Sequence, residues 1–342
     1  MENRLKYLDA LKGFLVICVV LGHVIDGYLE SAVFLGYEVP LFLVFNVIYS
    51  FHMPLCFMVS GYLYQLSYVN ITGNIKKDKV CNHIKNLVSV YVIFSVFTWG
   101  MKLLMAGAVN HTVNVLDLLL IWAIPMPTYW YLYVLIVFYL FFSVHKVREM
   151  QIKSLLWVFV IINIISNCIS GSLWFQISRV AYYALFFYLG ILRKKNKDFV
   201  LFQSRMCCVS GAIAILCALP FFLEGYRVSS IPIFNTIVGF GFSNVLWFVF
   251  EKIFNLILKG RGGKILCTCG INMLEIYVTH VFVVAALRLL LLKMDINIIW
   301  ICIPFNTILG TALPLVCSKF TKKYGLHNIL FRPYSSMKKR KI

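Results

Sequence analysis

Long apolar stretches recur along almost the whole chain, and this pattern limits its fold more than any other feature. A helix needs about 20 mainly apolar residues to cross the hydrocarbon core of a bilayer. Only 13% of the 342 residues are charged, whereas a soluble domain carries roughly a quarter, so the apolar surplus must face lipid. The sequence therefore predicts an all-α, polytopic integral membrane protein, a helical bundle of about ten transmembrane helices. The predicted spans are residues 8–28, 43–66, 87–106, 129–144, 154–172, 180–192, 206–223, 231–250, 266–292 and 296–316.

Basic residues concentrate in every second connection between these spans. Clusters precede the first span, follow the second, fourth, sixth and eighth, and fill the tail of residues 318–342. Because Lys and Arg are enriched in cytoplasmic loops, this alternation predicts an even number of spans, both termini in the cytoplasm and a basic cytoplasmic tail. It also explains the net charge of +19 without a nucleic-acid partner. Residues 1–342 are predicted to form a single transmembrane domain. The basic residues outside the alternation are Lys102, Arg179, Arg227, Arg288 and Lys293.

The eleven cysteines do not indicate a metal site. Most of them lie inside apolar stretches, and the pairs Cys207-Cys208 and Cys267-Thr268-Cys269 lack metal-ligand spacing with histidine partners. Buried cysteines commonly act as small apolar side chains. No metal is predicted.

Three histidines are expected at similar depth in the membrane. At a rise of 1.5 Å per residue, His23 lies about 16 Å above Lys12, the last cytoplasmic charge of its helix. His52 and His280 lie about 22 Å and 21 Å from the cytoplasmic ends of their own helices. One intramembrane histidine is as often a helix–helix hydrogen-bonding group as a functional one. Three at one depth favour a functional site, because titratable groups within a membrane are costly.

Two carboxylates accompany these histidines in the sequence. Asp26 comes three residues after His23 and therefore shares its helical face, and Glu275 precedes His280 by five residues. A carboxylate that accepts one imidazole N–H fixes the tautomer and makes the other nitrogen a stronger base. His23 and Asp26 form the simplest candidate pair of this kind, although Asp26 could equally be an ordinary interfacial residue.

Five motifs in order along the chain resemble those of the membrane acyltransferase-3 family. Lys12 and His23, with ten residues between them, resemble the basic residue and histidine of its first helix. The other four matching segments are residues 50–62, 129–132, 186–193 and 270–280, the last carrying Glu275 and His280. The resemblance covers nearly the whole chain.

The resemblance implies a transmembrane O-acyltransferase. It implies that an acyl group, usually acetyl, passes from cytoplasmic acyl-coenzyme A to a hydroxyl of a cell-surface or lipid-linked glycan. The first-helix histidine, His23, is then the catalytic residue, and it acts either as a general base or as the first acceptor of the acyl group. With the residues argued above, the candidate catalytic set is Lys12, His23, Asp26, His52, Glu275 and His280. We expect a multi-pass protein of a bacterial inner membrane.

Basic residues toward the cytoplasm are expected to hold the donor's phosphates. The candidates are Lys12, Lys76, Lys79 and Lys85, since an ammonium group binds phosphate as a point charge. Two departures from the family pattern concern this part of the site. Lys12 stands where arginine is commoner, and Asn86 and Val90 stand where the family typically has Arg and Pro.

The main alternative is a transporter or flippase for glycans or lipids that transfers no acyl group. Charges near the midplane and broken helices also serve transport. That function predicts two halves with matching interrupted segments, and the sequence contains no such internal symmetry. A relative without catalytic activity is a third possibility, which the retention of Lys12 and His23 disfavours.

Overall fold

The computed structural model describes residues 6–70, 72–104, 114–144, 152–168, 172–196, 199–224, 232–257, 260–332 and 334. This described part is 85% helical and contains no strands, which confirms the predicted all-α class. Its helices are α1 (Lys6–Glu30), α2 (Glu38–Tyr68), α3 (Lys77–Leu104), α4 (Val115–Leu119), α5 (Trp130–Phe142), α6 (Ile152–Cys168), α7 (Ser172–Lys195), α8 (Ser204–Glu224), α9 (Pro232–Ile257), α10 (Arg261–Ile271), α11 (Met273–Lys293), α12 (Ile299–Lys323) and α13 (His327–Phe331).

Several of these helices have the length and composition of membrane spans. Within the described ranges, six are long and apolar enough to cross a bilayer: Lys6–Glu30, Glu38–Tyr68, Lys77–Leu104, Ile233–Lys252, Met273–Lys293 and Ile299–Lys323. Three shorter apolar helices are Trp130–Phe142, Ser154–Ile165 and Ser204–Pro220. The apolar helices indicate a multi-pass membrane protein. The count of about ten spans and the cytoplasmic position of both termini stay predictions.

The chain divides into two compact units. Unit 1 comprises residues Met1–Tyr62 and Phe186–Lys319, and unit 2 comprises Leu63–Leu185 and Phe320–Ile342. All three histidines of the predicted site belong to unit 1. The prediction of a single transmembrane domain over residues 1–342 stays a prediction.

Helix α1 packs closely against α10 in unit 1. A Cβ atom on Gly13 would overlap the backbone oxygen of Leu266, and one on Gly270 would overlap that of Asp9. Small residues at a crossing let two helix backbones approach, which is how helices associate where lipid is as apolar as their side chains. Only glycine fits at these two positions. The crossing fixes the first third of α1, and Gly13 precedes His23 by ten residues.

A second glycine crossing joins α2 to α7 within unit 1. A Cβ atom on Gly61 would overlap the backbone oxygen of Phe187, and one on Gly190 would overlap that of Met58. The crossing thereby holds the C-terminal part of α7 beside α2. Gly190 precedes the buried Arg193 by three residues.

The ninth predicted span, residues 266–292, is two helices rather than one. Helix α10 ends at Ile271 and α11 begins at Met273, with Asn272 between them at φ −105° and ψ 28°. Asn leaves helical geometry readily because its short amide competes for nearby backbone groups. The amide of Asn272 donates to the backbone oxygen of Thr268 at 2.8 Å. The break places a helix N-terminus within this apolar segment.

Tyrosine hydroxyls and the amide of Asn86 form hydrogen bonds between elements of unit 2. Tyr64 donates to the backbone oxygen of Phe142 at 2.9 Å, and Tyr91 donates to that of Ile121 at 2.6 Å. These bonds satisfy polar groups at apolar helix contacts, where an unpaired group would be costly. Asn86 donates its amide to the backbone oxygen of Phe331 in α13 at 3.1 Å.

Candidate active site

His280 presents a fully buried imidazole. Its side chain is 0% exposed, on α11, and its Nδ1 lies 3.0 Å from the backbone oxygen of Ile276. A carbonyl oxygen only accepts, so Nδ1 carries the proton and, in the neutral ring, Nε2 keeps its lone pair. That Nε2 atom has no hydrogen-bond partner among the described residues. A buried unpaired acceptor of this kind is uncommon and needs an explanation.

His23 supplies the ring that lies next to His280. The two ring centroids are 5.2 Å apart, with an angle of 45° between the ring planes. His23 is half-buried on α1, between Val20 and Val24, which are both buried. Asp26, Gly27 and Glu30 follow on the same side of the helix. The residues on this side are more exposed than Val24, Ile25 and Tyr28, which are buried.

His52 lies near this pair through an aromatic contact. Its buried ring is edge-on to Tyr49, with centroids 4.7 Å apart, and a Cβ on Gly22 would lie 2.9 Å from the Tyr49 ring. The Nδ1 atom of His52 is 2.8 Å from the backbone oxygen of Ile48, so it carries the proton as in His280. The structure thus packs His23 directly on His280. It also brings α2 into contact with α1 at Gly22, one residue before His23.

The two predicted carboxylates occupy different surroundings. Asp26 is half-buried, one helical turn after His23, and its pairing with His23 stays a prediction. Glu275 is buried, with 8% of its surface exposed, in the first turn of α11. The free backbone N–H groups of a helix N-terminus favour a negative charge there. The break at Asn272 therefore provides a favourable position for Glu275, five residues before His280.

Lys12 is engaged by a neighbouring carboxylate. Its Nζ atom lies 2.9 Å from Oδ1 of Asp9 in an i,i+3 pair, and the lysine side chain is 18% exposed. Lys12 and His23 are eleven residues apart, which places them on the same helical face about 16 Å apart. The sequence identified the charge at position 12 but not its partner.

The other predicted donor lysines belong to unit 2. Lys76 is half-buried just before α3, and Lys79 is exposed in its first turn. Lys85 donates to the hydroxyl of Tyr334 at 3.3 Å and lies 4.9 Å from the centre of that ring. Six residues of helix rotate the side-chain direction by about 120° between Lys79 and Lys85. These two lysines therefore do not share one face of α3, and their role in donor binding stays a prediction.

Sequence reasoning missed a group of polar contacts near the C-terminal end of α1. Arg288 donates to the backbone oxygen of Gly27, and the buried amide of Asn306 donates to the hydroxyl of Tyr28 at 2.7 Å. The only sequence signal was that Arg288 lies outside the alternation of basic loops. These contacts anchor the helical turn that follows His23 to α11 and α12.

These features define a class of protein: a multi-pass helical membrane protein with a histidine pair inside its bundle. A sequence model of one family, described as an acyltransferase domain, matches residues 5–318. The chain therefore belongs to the acyltransferase-3 family, and it is an acyltransferase. This assignment disfavours the alternative of a transporter that transfers no acyl group. No curated protein and no solved structure gives a significant match to the chain.

The described residues contain no group of three or more His, Cys, Asp or Glu side chains that could hold a metal ion. The chemistry that the histidine pair itself offers is proton transfer, because a neutral imidazole has one nitrogen that donates and one that accepts.

Proposed function

We propose that the protein is a transmembrane O-acyltransferase. It moves an acyl group, most simply acetyl, from cytoplasmic acyl-coenzyme A to a hydroxyl of a cell-surface or lipid-linked glycan. The observation that supports this reaction is the contact between the His23 and His280 rings, 5.2 Å apart, in a chain of an acyltransferase family. In this proposal the protein acts in the inner membrane of a bacterium.

His23 is the general base of the proposed reaction. The acceptor hydroxyl gives its proton to one nitrogen of His23 as its oxygen attacks the thioester carbonyl carbon. The C–S bond then breaks, and the coenzyme A thiolate leaves and takes the proton from His23. An ester and a free thiol are the products, and the histidine returns to its starting state. Base catalysis of this kind typically contributes about 10²–10⁴-fold.

His280 is a positioning residue for His23 in this mechanism. Its Nδ1–H donates to the backbone oxygen of Ile276. Its Nε2 lone pair can therefore accept a hydrogen bond from the second N–H of His23. Such a bond would orient the His23 ring and stabilise the imidazolium that forms during proton transfer, as a carboxylate does in other acyl-transfer sites. A neutral acceptor suits a membrane interior, where an additional charge would be costly.

The remaining candidates keep supporting roles in the proposal. Asp26 and Glu275 are proposed to balance the charge of the site. His52, which packs on Tyr49, is proposed to contact the acceptor. Lys12, with Asp9, and the lysines at positions 76, 79 and 85 are proposed to attract the anionic donor by long-range electrostatics rather than by direct contact with its phosphates. Each of these roles is testable by single substitution.

The proposed function is tested on the surface polysaccharide of cells that produce the protein. Mass spectrometry is expected to find an ester-linked acyl group with the native protein and none with His23→Gln. His83→Gln is the matched control, because His83 is a helical histidine of unit 2 that packs on Tyr68 and Tyr139. Equal acylation with the native protein and His23→Gln, at equal protein levels, would refute the role of His23.

A further inference from the structure

A cavity of about 200 Å³ lies in unit 1 beside the C-terminal end of α7. It is formed by α2, α7, the start of α8 and the end of α9, and it is separate from the histidine pair. Pockets that enclose a complete drug-sized ligand have volumes of roughly 300–1,000 Å³. This cavity is therefore suited to one end of a longer ligand, or to a small one.

A buried arginine forms one wall of the cavity. Arg193 is 5% exposed, and it donates to Asn244 at 2.8 Å and to Glu251 at 3.1 Å. A guanidinium has five N–H donors. Asn244, Glu251 and the Cys207 thiol are its partners among the described residues, which is fewer than its five donors. The resemblance had included Arg193 only as the last residue of a motif, and its burial was not visible in the sequence.

Aromatic rings surround this guanidinium. Its central carbon lies 5.0 Å from the ring centre of Phe202 and 4.8 Å from that of Trp247. Tyr62 packs on Trp247 with ring centroids 5.2 Å apart. Trp247 is fully buried, and its indole N–H has no hydrogen-bond partner among the described residues. The cavity thus combines flat apolar walls with a buried guanidinium and, within the described part of the chain, an unpartnered indole N–H.

Further positive potential comes from the edge of the cavity. Lys252 is exposed and lines the cavity. Ser204, the first residue of the long helix α8, also lines it. The unpaired backbone N–H groups of a helix N-terminus favour an anion. Glu251 is the opposing charge and is bonded to Arg193. Aromatic walls with a guanidinium, an ammonium and a helix N-terminus suit a phosphorylated aromatic base.

The cavity lies at the end of α1 that is remote from His23. The side chains of Tyr7 and Tyr62 interact, which places the cavity wall beside the first turn of α1. His23 is sixteen residues further along, about 24 Å away along the helix axis. Phe14 of α1 contacts Phe250 of α9, with ring centroids 5.5 Å apart, so α9 follows α1 for part of this distance.

We infer that this cavity binds the phosphorylated adenosine end of the acyl-coenzyme A donor. The inference rests on the proposed function, because it assumes a donor that has a nucleotide at one end and a thioester at the other. The purine would pack against Tyr62 and Phe202, and a phosphate would accept from Arg193 and Lys252. The long pantetheine arm then extends in the direction of His23.

Binding of adenosine 3′,5′-bisphosphate to the purified protein in detergent tests this assignment. This compound carries the purine and phosphates of the donor but no thioester. Titration calorimetry is expected to show binding that acetyl-coenzyme A displaces, whereas acetyl-pantetheine, which lacks the nucleotide, does not displace it. Inorganic phosphate should compete only weakly. Absence of bisphosphate binding to a native protein that binds acetyl-coenzyme A would overturn the assignment.

Substitutions then locate the binding site. Arg193→Lys keeps the charge but loses the planar fork and should weaken bisphosphate binding about tenfold. Lys252→Ala removes an exposed charge and should weaken it about threefold. Lys264→Ala is the matched control, since Lys264 is an exposed lysine of the same unit outside the cavity. If the native protein, Lys252→Ala and Arg193→Lys all bind the bisphosphate with the same affinity, the assignment is overturned.

Bisphosphate binding and acyl transfer, measured on the same protein, separate this inference from the proposed function. Size-exclusion chromatography identifies any misfolding of Arg193→Lys, and the exposed Lys252 variant tests the cavity independently of folding. Bisphosphate binding by a protein that transfers no acyl group would support the cavity and refute the proposed function. Acyl transfer without bisphosphate binding would do the reverse.

Discussion

The imidazoles of His23 and His280 pack against each other, with ring centroids 5.2 Å apart, although they are 257 positions apart in the sequence. One ring is half-buried and the other is fully buried. The buried ring is fixed by its bond to Ile276 and leaves one nitrogen without a partner in the described part of the chain. This arrangement is the physical basis of the proposed reaction, and it leads to a prediction for each ring.

The two nitrogens of His280 can be tested separately. His280→Asn retains an amide near the position of Nδ1, so it can still donate to Ile276, but it loses the acceptor at Nε2. His280→Gln retains a polar group near Nε2. If His280 positions His23, the Asn variant should lower kcat by about tenfold to a hundredfold with little change in KM. The Gln variant should then have a higher kcat than the Asn variant.

Initial rates of acyl transfer in membranes check this prediction. Equal losses in the two variants, or a change confined to KM, would indicate that His280 only fills space.

The glycine crossing of α1 and α10 predicts a position-specific loss of stability. Gly13→Ala places a Cβ against the backbone oxygen of Leu266, and forcing the helices apart should cost about 1–3 kcal/mol. Gly100→Ala is the control, because a Cβ there meets nothing within 4 Å and alanine favours a helix. Thermal unfolding in detergent should show a lower midpoint for Gly13→Ala alone. A similar decrease in both variants would contradict the close crossing.

Much of this fold follows from the sequence. Apolar runs predicted the helices, because a backbone in lipid must satisfy its own hydrogen bonds. The break at Asn272 was not predicted, since hydropathy is continuous across residues 266–292 and one asparagine does not by itself end a helix. The glycines of the α1–α10 crossing were also not assigned, because only the paired backbones show why a side chain is excluded there.

The candidate site was predicted only in part. Helical rise alone placed His23 and His280 at one depth, and the structure brings their rings into contact. Depth does not indicate the direction of a side chain, so the ion pair between Lys12 and Asp9 was not foreseen. Burial of Arg193 was equally hidden, because a basic residue at a helix end is usually solvated at the membrane surface.

The bond between Tyr28 and Asn306 predicts a non-additive pair of substitutions. Tyr28→Phe keeps the ring contact with Phe34 but leaves the buried Asn306 amide without its acceptor. An unsatisfied buried donor should cost about 1–3 kcal/mol. The double variant Tyr28→Phe/Asn306→Leu should recover most of this loss, because both polar groups are then removed. Simple additivity in thermal unfolding would contradict the prediction.

The alternation of basic loops predicts which residues face the outside of the cell. In a variant without native cysteines, Leu35→Cys should react with a membrane-impermeant maleimide in intact cells, because Leu35 is 79% exposed after α1. Lys195→Cys, at the end of α7, should react only after permeabilisation. Labelling in the opposite order would contradict cytoplasmic termini.

The rate at which His23→Gln releases coenzyme A from acetyl-coenzyme A, in membranes that contain acceptor, tests the central claim most directly. Transfer by the native protein and by His83→Gln should proceed at similar rates. His23→Gln should be slower by about 10²–10⁴-fold at the same protein level, because the acceptor hydroxyl loses its base. A rate for His23→Gln equal to that of the native protein would contradict the claim that this imidazole carries out the proton transfer.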